Sequence, residues 1–395
     1  MHIGKGKTFH TIFPDYILCS LRFRFIYAVW NLFYDKASLN QQASNWRYGG
    51  NLKFCIDQVE IGEDSPVLVI PEIGINHNGS LQIAKEMALA AHEAGAVLIK
   101  HQTHVIDDEM SQAAKSVIPG NADESIYDVM SRCALSEEEE EDLKLYVESL
   151  GMVFLSTPFS RAAADRLKRM GAKAYKIGSG ELNNYPLLEH IASFGKPIIA
   201  STGMNSIETV KCAVQILERN QVPYALMHTT NLYPTRSYQV RLGAMQQMMD
   251  SFPTIPIGLS DHTTSNNACI AAIALGAKLV ERHFVDTMDR EGPDVVCSMD
   301  KTALGNLLVA ADEIPQMLGG KKEPLKEESI TSNFAFASVV STSQILKGEK
   351  FTRDNVWVKR PGTGSISAEN LNNVLGKKAH VDIASDTQIS WEMIE

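Results

Sequence analysis

The chain has 395 residues, 44% hydrophobic and 21% charged, an ordinary globular balance with material for a sizeable core and too much length for one small domain. Its formal net charge of −10 argues against a nucleic-acid partner. The six cysteines (Cys19, Cys55, Cys133, Cys212, Cys269, Cys297) are scattered without a CxxC pair, which points to reduced thiols in a cytoplasm rather than a disulfide frame or zinc site.

Residues 1–55 read as an extension ahead of the folded pattern. Within it the stretch 18–34 is aromatic and basic, with Arg22 and Arg24 inside it. Its uncharged run, 25–34, is too short to span a bilayer. Charges interrupt the apolar part and no small-residue cleavage site follows, so a signal peptide does not fit either. A poorly ordered segment, or an upstream artefact of start assignment, is the expectation, with no membrane partner.

From residue 67 strand-like and helix-like stretches alternate. The run 67–73 is apolar and leads through Glu72 into the turn Gly74-Ile75-Asn76-His77-Asn78-Gly79. Ser80 can cap a helix whose Ile83, Met87 and Ala91 share one face. Gly95 ends that helix, and 97–100 is the next strand. The segment 101–132 reads as a long polar loop containing Pro119-Gly120-Asn121, and loops of that length are usually functional or disordered. Ser136 then caps a helix whose acidic opening, 137–141, is a solvated amino end rather than a metal site.

Further strands fall at 152–156, 174–177, 197–201, 224–228, 257–260 and 278–281, with helices at 161–170, 185–194, 207–219, 242–249, 266–275 and 301–318. Eight strand–helix units indicate an α/β chain folded as a closed (β/α)8 TIM barrel over 56–318, not an open doubly wound sheet. No glycine-rich dinucleotide fingerprint follows the first strand, which also weighs against a Rossmann domain. A charged linker, 319–333, leads to a small domain, 334–395, with β-like runs at 336–340, 356–359 and 380–383 and a helix-like stretch at 370–375. That domain is too small to carry chemistry alone and suits an accessory or lid role.

Active sites of parallel α/β folds collect at the carboxyl ends of the strands. The strand ends supply Glu72; Lys100 with His101 and Gln102; Ser156 with Thr157; Lys176 with Ser179 and Glu181; Ser201 with Thr202; His228 with Asn231 and Tyr233; Ser260 with His262; and His283. His262 and His283 end neighbouring strands, each beside a carboxylate, and form a candidate metal pair; the plain alternative is that they are ordinary polar loop residues. Lys100 and Lys176 end apolar strands, where an ammonium group is costly unless it meets an anion or a carboxylate. With the hydroxyls and Gly178-Ser179-Gly180 they make a candidate cradle for phosphate and carboxylate, the alternative being that each lysine pairs with a nearby glutamate. A carboxylate such as Glu72 or Asp294 could assist proton transfer. These residues alone reach as far as a metal-assisted lyase or aldol-type synthase acting on a small anion, with a Schiff-base Lys176 still open.

At these residues the chain resembles the bacterial sialic acid synthases, the phosphoenolpyruvate-dependent N-acetylneuraminate synthases. The resemblance runs from about residue 67 to the end through PEIGINHNGS from Pro71, IKHQTH from Ile99, VIPGNA from Val117, STPFSRAAA from Ser156, YKIGSGE from Tyr175, STGMNS from Ser201, GLSDHT from Gly258, ERHF from Glu281, GPDVVCSM from Gly292, FAFASVV from Phe334 and VWVKRPG from Val356. It implies a TIM barrel followed by an antifreeze-like (β-clip, SAF) domain, in a homodimer that swaps this small domain over the partner's barrel mouth. It implies condensation of phosphoenolpyruvate with N-acetylmannosamine, assisted by a divalent ion, Mn2+ or Mg2+, on His262 and His283. Glu72, Lys100, Lys176 and Asp294 are then the catalytic set. Lys100, Lys176, Ser179, Ser201, Asn231 and Ser260 resemble the phosphoenolpyruvate site; Glu72, Tyr233 and Asp294 resemble the sugar side. Gln102, Asn121, Thr157 and Glu181 join the substrate contacts, and Arg360, with Phe334 near it, is the contribution of the swapped domain. Within the class the rival is an N,N'-diacetyllegionaminate synthase using a 6-deoxy diacetamido sugar, with a 9-phosphate synthase behind it. Outside the class, a catalytically dead scaffold would retain the barrel, but the intact Glu72, lysines and histidines argue against it.

Overall fold

The computed structural model describes residues 53–119 and 123–395. Asn121 and nearly all of the 1–55 extension lie outside the described residues. The chain divides into two compact units, Met1–Leu318 and Gly319–Glu395.

The first unit opens with an antiparallel hairpin, β1 (Phe54–Ile56) and β2 (Val59–Ile61). Eight parallel strands follow: β3 (Leu68–Gly74), β4 (Leu98–Thr103), β5 (Val153–Pro158), β6 (Tyr175–Ile177), β7 (Ile198–Ser201), β8 (Tyr224–Thr229), β9 (Ile257–Asp261) and β10 (Leu279–His283). They are ordered β5-β4-β3-β10-β9-β8-β7-β6, with β5 and β6 side by side at the remaining seam, so the ring runs in chain order. This is the (β/α)8 barrel expected from the alternation. Every residue of these strands is buried except Gln102, which is half-buried. Strands covered on both faces need near-continuous apolar runs, which is why they stand out in the sequence.

The barrel helices are α1 (Leu81–Glu93), α2 (Ile106–Glu109), α3 (Ile126–Cys133), α4 (Glu137–Ser149), α5 (Arg161–Arg169), α6 (Tyr185–Ala192), α7 (Ile207–Arg219), α8 (Leu242–Ser251), α9 (Asn267–Ala274) and α10 (Lys301–Met317). Local chemistry sets their starts. The Ser80 hydroxyl accepts from the Ile83 amide at 3.3 Å, and Ser136 and Glu139 form a reciprocal capping box at the head of α4.

Side chains alternate between two apolar layers along the strands. Val69, Ile73, Ile99, Phe154, Tyr175, Ile198, Leu226, Leu259 and Val280 pack outward against the helices. Leu68, Ile70, Leu98, Val153, Leu155, Ala174, Ile199, Ala225, Met227 and Leu279 fill the barrel interior, joined there by Phe54, Ile56, Val59 and Ile61 of the hairpin. The hairpin is therefore the barrel's apolar floor. A domain boundary at 55/56 cuts through β1; the alternation of Phe54, Ile56, Val59 and Ile61 is visible in the sequence but abuts the extension and is short.

The long segment after β4 also carries more structure than a loop. The strand continues to Thr103, and α2, a 3-10 turn at Gln112–Ser116 and α3 follow. Only Val129 and Cys133 of α3 are buried, against Ile75, so its apolar periodicity is too sparse to read from sequence.

In the second unit β11 (Ser338–Ser341) and β12 (Val356–Lys359) pair antiparallel, and isolated bridges such as Ile345 with Ile383 hold the rest around Val339, Phe351, Val356, Ile366 and Ile389. Part of the expected linker is the helix α11 (Ser329–Ala335), tied to this unit by the Gly362 amide donating to the Asn333 carbonyl at 2.8 Å. A short helix, α12 (Leu371–Val374), completes it.

The floor carries a testable stability term. Ile56 is fully buried, so Ile56→Ala should lower barrel stability by about 2–5 kcal/mol through lost burial plus the cavity left behind. The measurement is the shift of the barrel's urea midpoint. A change near zero would mean the hairpin is not part of the core.

Candidate active site

Two residues further along each inward face, the barrel's chemistry inverts. On β3 Ile70 is followed by Glu72, on β4 Leu98 by Lys100 and then Gln102, and on β5 Leu155 by Thr157. Ala174, just ahead of β6, is followed by Lys176 on that strand, on β7 Ile199 by Ser201, and on β10 Leu279 by Glu281 and then His283. Ser260 on β9 and His262 just beyond it take the corresponding places. The period-two alternation of a strand thus delivers apolar side chains to the floor and ionisable ones to the mouth.

The centre of the mouth is a buried quartet of charges. Lys100 pairs with Glu72 and lies 3.7 Å from Glu281. Lys176 Nζ donates to Glu281 Oε1 at 3.2 Å and to Ser201 Oγ at 2.7 Å. Ser260 Oγ donates to the same Glu281 oxygen at 2.9 Å, and Gln102 Nε2 donates to Glu72 Oε1 at 2.8 Å. Burial would raise Glu72, but Lys100, with His283 and Lys176, holds its carboxyl well below the usual carboxylate range. Burial works against the Lys100 ammonium too, and Glu281 and Glu72 outweigh it, so that amine is pushed up. Lys176 is pushed down by burial and by Lys100, which Glu281 offsets only in part.

The histidines lie beside this quartet. His262 Nδ1 is 2.9 Å from the Thr230 carbonyl. A carbonyl only accepts, so Nδ1 carries the proton and Nε2 keeps its lone pair, the form that ligates a metal. Burial, then the neighbouring His283, pushes His262 down to about 3, which keeps the ring neutral. The two rings are 5.3 Å apart between centroids, with the Tyr233 ring 4.2 Å from His262 and 5.9 Å from His283. His283 Nε2 is 3.9 Å from a Glu72 oxygen and its Nδ1 is 3.8 Å from an Asp294 oxygen. Nδ1 is buried without a hydrogen-bond partner. Two neutral-capable imidazoles with carboxylates at hand fit a divalent cation. His283, Asp294 and Cys297 also form a group whose ligand atoms lie within 4.8 Å of one another.

The loops after the strands bring in the rest. Ser179 Oγ accepts from the Gly203 amide at 3.0 Å, and Asn231 Nδ2 donates to the Tyr233 hydroxyl at 3.4 Å. A Cβ at Gly203 would collide with Asn231 Oδ1 and stand 2.8 Å from Ser179 Oγ, so glycine is what lets these two loops meet. Asn76, in the turn after β3, accepts from the Asp294 amide at 3.1 Å and so holds the Asp294 loop at the mouth. Thr157 Oγ1, Asn231 Oδ1 and Glu281 Oε2 are buried without partners, as is His283 Nδ1, so the mouth is lined with polar atoms suited to a polar ligand.

Most of the residues singled out in the sequence therefore converge: Glu72, Lys100, Gln102, Thr157, Lys176, Ser179, Ser201, Asn231, Tyr233, Ser260, His262, His283 and Asp294. Glu181 turns to Asn184 Nδ2 at 2.7 Å and makes no hydrogen bond to these residues among those described. Phe334 and Arg360 belong to the second unit, where both are exposed. Four other strand-end residues face outward: His101 toward Glu140 at 3.2 Å, Ser156 toward Thr103 at 2.7 Å, Thr202 toward the Met227 carbonyl at 3.0 Å and His228 toward the Val240 carbonyl at 2.8 Å. Glu281, Asn76, Gly203 and Cys297 received no role from the sequence. Glu281 was legible: it stands two residues before His283 and shares its inward parity.

Comparison with known proteins agrees with the fold. Residues 87–323 match the NeuB family and residues 336–395 the SAF domain. An N,N'-diacetyllegionaminic acid synthase of Legionella pneumophila is 35% identical over 85% of this chain and 96% of its own length. The human N-acetylneuraminate-9-phosphate synthase is 30% identical over 85% of this chain and 94% of its own. Among solved structures, the N-acetylneuraminic acid synthetase of Leptospira borgpetersenii superposes with a TM-score of 0.65 at 27% identity, covering 72% of this chain and 96% of that one. The chain belongs to the NeuB family of sialic acid synthase-type enzymes and ends in a SAF domain.

Proposed function

We propose that this chain condenses phosphoenolpyruvate with an N-acetylated amino sugar, giving a nonulosonic acid and phosphate. The buried quartet of Glu72, Lys100, Lys176 and Glu281 is the observation that carries this reading. It keeps two ammonium groups desolvated at the mouth, where a phosphate or carboxylate gains most from them. Lys176, pushed down by its surroundings, is the cation with most to gain from an incoming anion. Ser179, Ser201, Asn231, Ser260 and Thr157 supply donors around the same anion.

The reaction takes carbon 3 of phosphoenolpyruvate to the aldehyde of the open-chain sugar. Water adds at carbon 2, and phosphate leaves with cleavage of its C–O bond. His262 and His283 would hold a divalent ion, manganese or magnesium, which would supply Lewis acidity toward the sugar aldehyde. Glu72 and Asp294 accept hydrogen bonds from the sugar hydroxyls and hold its chain against the lysines, and Gln102 keeps Glu72 aimed. In this reading Phe334 and Arg360 serve a second copy of the chain, as the resemblance implies.

N-acetylmannosamine is the first reading for the sugar, with N-acetylneuraminate as product. The 35% identity to the legionaminic acid synthase, against 30% to the 9-phosphate synthase, supports a second, a 6-deoxy diacetamido sugar giving N,N'-diacetyllegionaminate.

Three outcomes are expected. Protein incubated with manganese, phosphoenolpyruvate and either sugar should yield a nonulosonate mass with stoichiometric phosphate; the preferred tube names the sugar, and no product in either sinks the reading. Lys176→Met should lower turnover by about a hundredfold or more, the cost of one preorganised charge contact, and near-normal turnover would remove Lys176 from the anion site. Chelator treatment and His262→Ala should each abolish turnover, with manganese restoring the first and not the second. Full activity after chelation would take the ion out of the scheme.

A further inference from the structure

We propose that His104, paired with Glu109, is a positioning residue for the sugar side of the mouth: it fixes which way the Gln102 amide points, and through that amide it aims the Glu72 carboxylate. The role presupposes the proposed reaction, in which Glu72 meets the sugar hydroxyls. Among the described residues, His104 and Glu109 make no hydrogen bond to the charged quartet or the histidine pair, so they act only through Gln102.

A chain of hydrogen bonds runs from α2 to the quartet, and its partners dictate its direction. Glu72 Oε1 accepts from the Lys100 ammonium and therefore carries no proton. Gln102 must turn its NH2 group to that oxygen, and its Nε2 stands 2.8 Å away. Gln102 Oε1 then faces His104 Nε2 at 3.2 Å. An amide oxygen only accepts, so Nε2 must carry a proton. On the other side of the ring Nδ1 lies 2.8 Å from Glu109 Oε2, and one proton is shared there between ring and carboxyl. With that proton on the ring, His104 is an imidazolium facing a carboxylate; with it on Glu109, the ring is the neutral Nε2–H tautomer. Both forms present the same donor to Gln102. The opposite tautomer would aim a lone pair at Gln102 Oε1, and the amide could escape that clash only by turning its oxygen onto Glu72.

The surroundings hold the ring and its partner in place. His104 is 4% exposed and stacks on Phe159, with ring centroids 4.7 Å apart and planes 9° from parallel. Glu109 closes the one-turn helix α2, its amide donating to the Val105 carbonyl at 2.9 Å. The adjacent Asp108 accepts from the Ala162 amide at 2.7 Å, which pins α2 to the head of α5. Gly74, at φ +52°, leaves room for the Gln102 amide, since a Cβ there would stand 3.3 Å from its Nε2. A histidine–glutamate pair on the surface would contribute little. Here the pair is buried, and the second ring nitrogen serves an amide that lines the mouth.

The first test uses the full-length wild-type protein without substrate, its histidines isotopically labelled on the ring nitrogens. The long-range proton–nitrogen correlation of His104, assigned by its loss in His104→Gln, should show a protonated Nε2. A bare Nε2 overturns the proposal whatever the variants do. Two substitutions then separate the donor from the ring. His104→Phe keeps the stack on Phe159 and loses the donor, whereas His104→Gln keeps an N–H donor and loses the ring. His104→Phe should lower kcat/KM for the sugar roughly 10- to 100-fold, the range for one hydrogen bond to a charged group, with the KM for phosphoenolpyruvate little changed. His104→Gln should recover most of that loss. Equal losses toward both substrates, no loss in His104→Phe, or a larger loss in His104→Gln than in His104→Phe would each remove the positioning role. No product from the wild-type protein with either sugar retires the proposed reaction and this role with it, while product alongside a bare Nε2 or the wrong order of variants retires the role alone.

Discussion

Everything at the mouth depends on keeping two lysines charged inside a barrel. Lys100 and Lys176 are 3% and 2% exposed, and an ammonium group at that depth costs several kcal/mol unless paired. Glu72 and Glu281 meet that cost, each within reach of Lys100, with Glu281 also accepting from Lys176. Four charges on four strands balance one another, and Ser201, Ser260 and Gln102 add hydrogen bonds to them, while Glu281 Oε2 is left without a partner. Such a set stabilises the fold less than an apolar core would. What it provides is a preorganised field at the mouth, the feature on which the proposed reaction with an anion rests.

Buried polar groups behind β4 steady the loops that complete the mouth. Outward from β4, His101 lies between His77 at 3.2 Å and Glu140 at 3.2 Å, and Glu140 accepts from Arg166 at 3.2 Å. The Gly79 amide donates to His77 Nδ1, so His77 must give its Nε2 proton to His101, which gives its Nδ1 proton to Glu140. Direction is therefore set along the whole chain of bonds. It fixes the turn after β3, and that turn carries Asn76, the residue that holds Asp294 in place.

The sequence was most informative where one physical demand dominates. Strands buried on both faces must be apolar throughout, and the ring of eight could be counted from its apolar runs. Helix starts followed from Ser80 and Ser136, whose hydroxyls do cap amides. The floor hairpin and α3 were less legible because each buries only a few residues against partners far along the chain. The histidine pair, the lysines and Glu72 could be named because ionisable residues that end apolar strands are costly and so conspicuous.

By itself, then, the sequence determined the alternation of elements, their starts, and which inward positions change from apolar to charged, since these follow from local propensity and a period of two. Only the tertiary structure decided which of these residues meet. His101, Ser156, Thr202 and His228 end strands as Lys100 does, yet odd parity turns them to the helices. Glu281 became the ion-pair partner of two lysines because closing the barrel brings β10 opposite β6 and beside β3. A turn after β10 folds Cys297 back on the Asp294 carbonyl, an approach that nothing in the local sequence announces. Those encounters depend on ring closure and loop paths over hundreds of residues, and no local pattern encodes them.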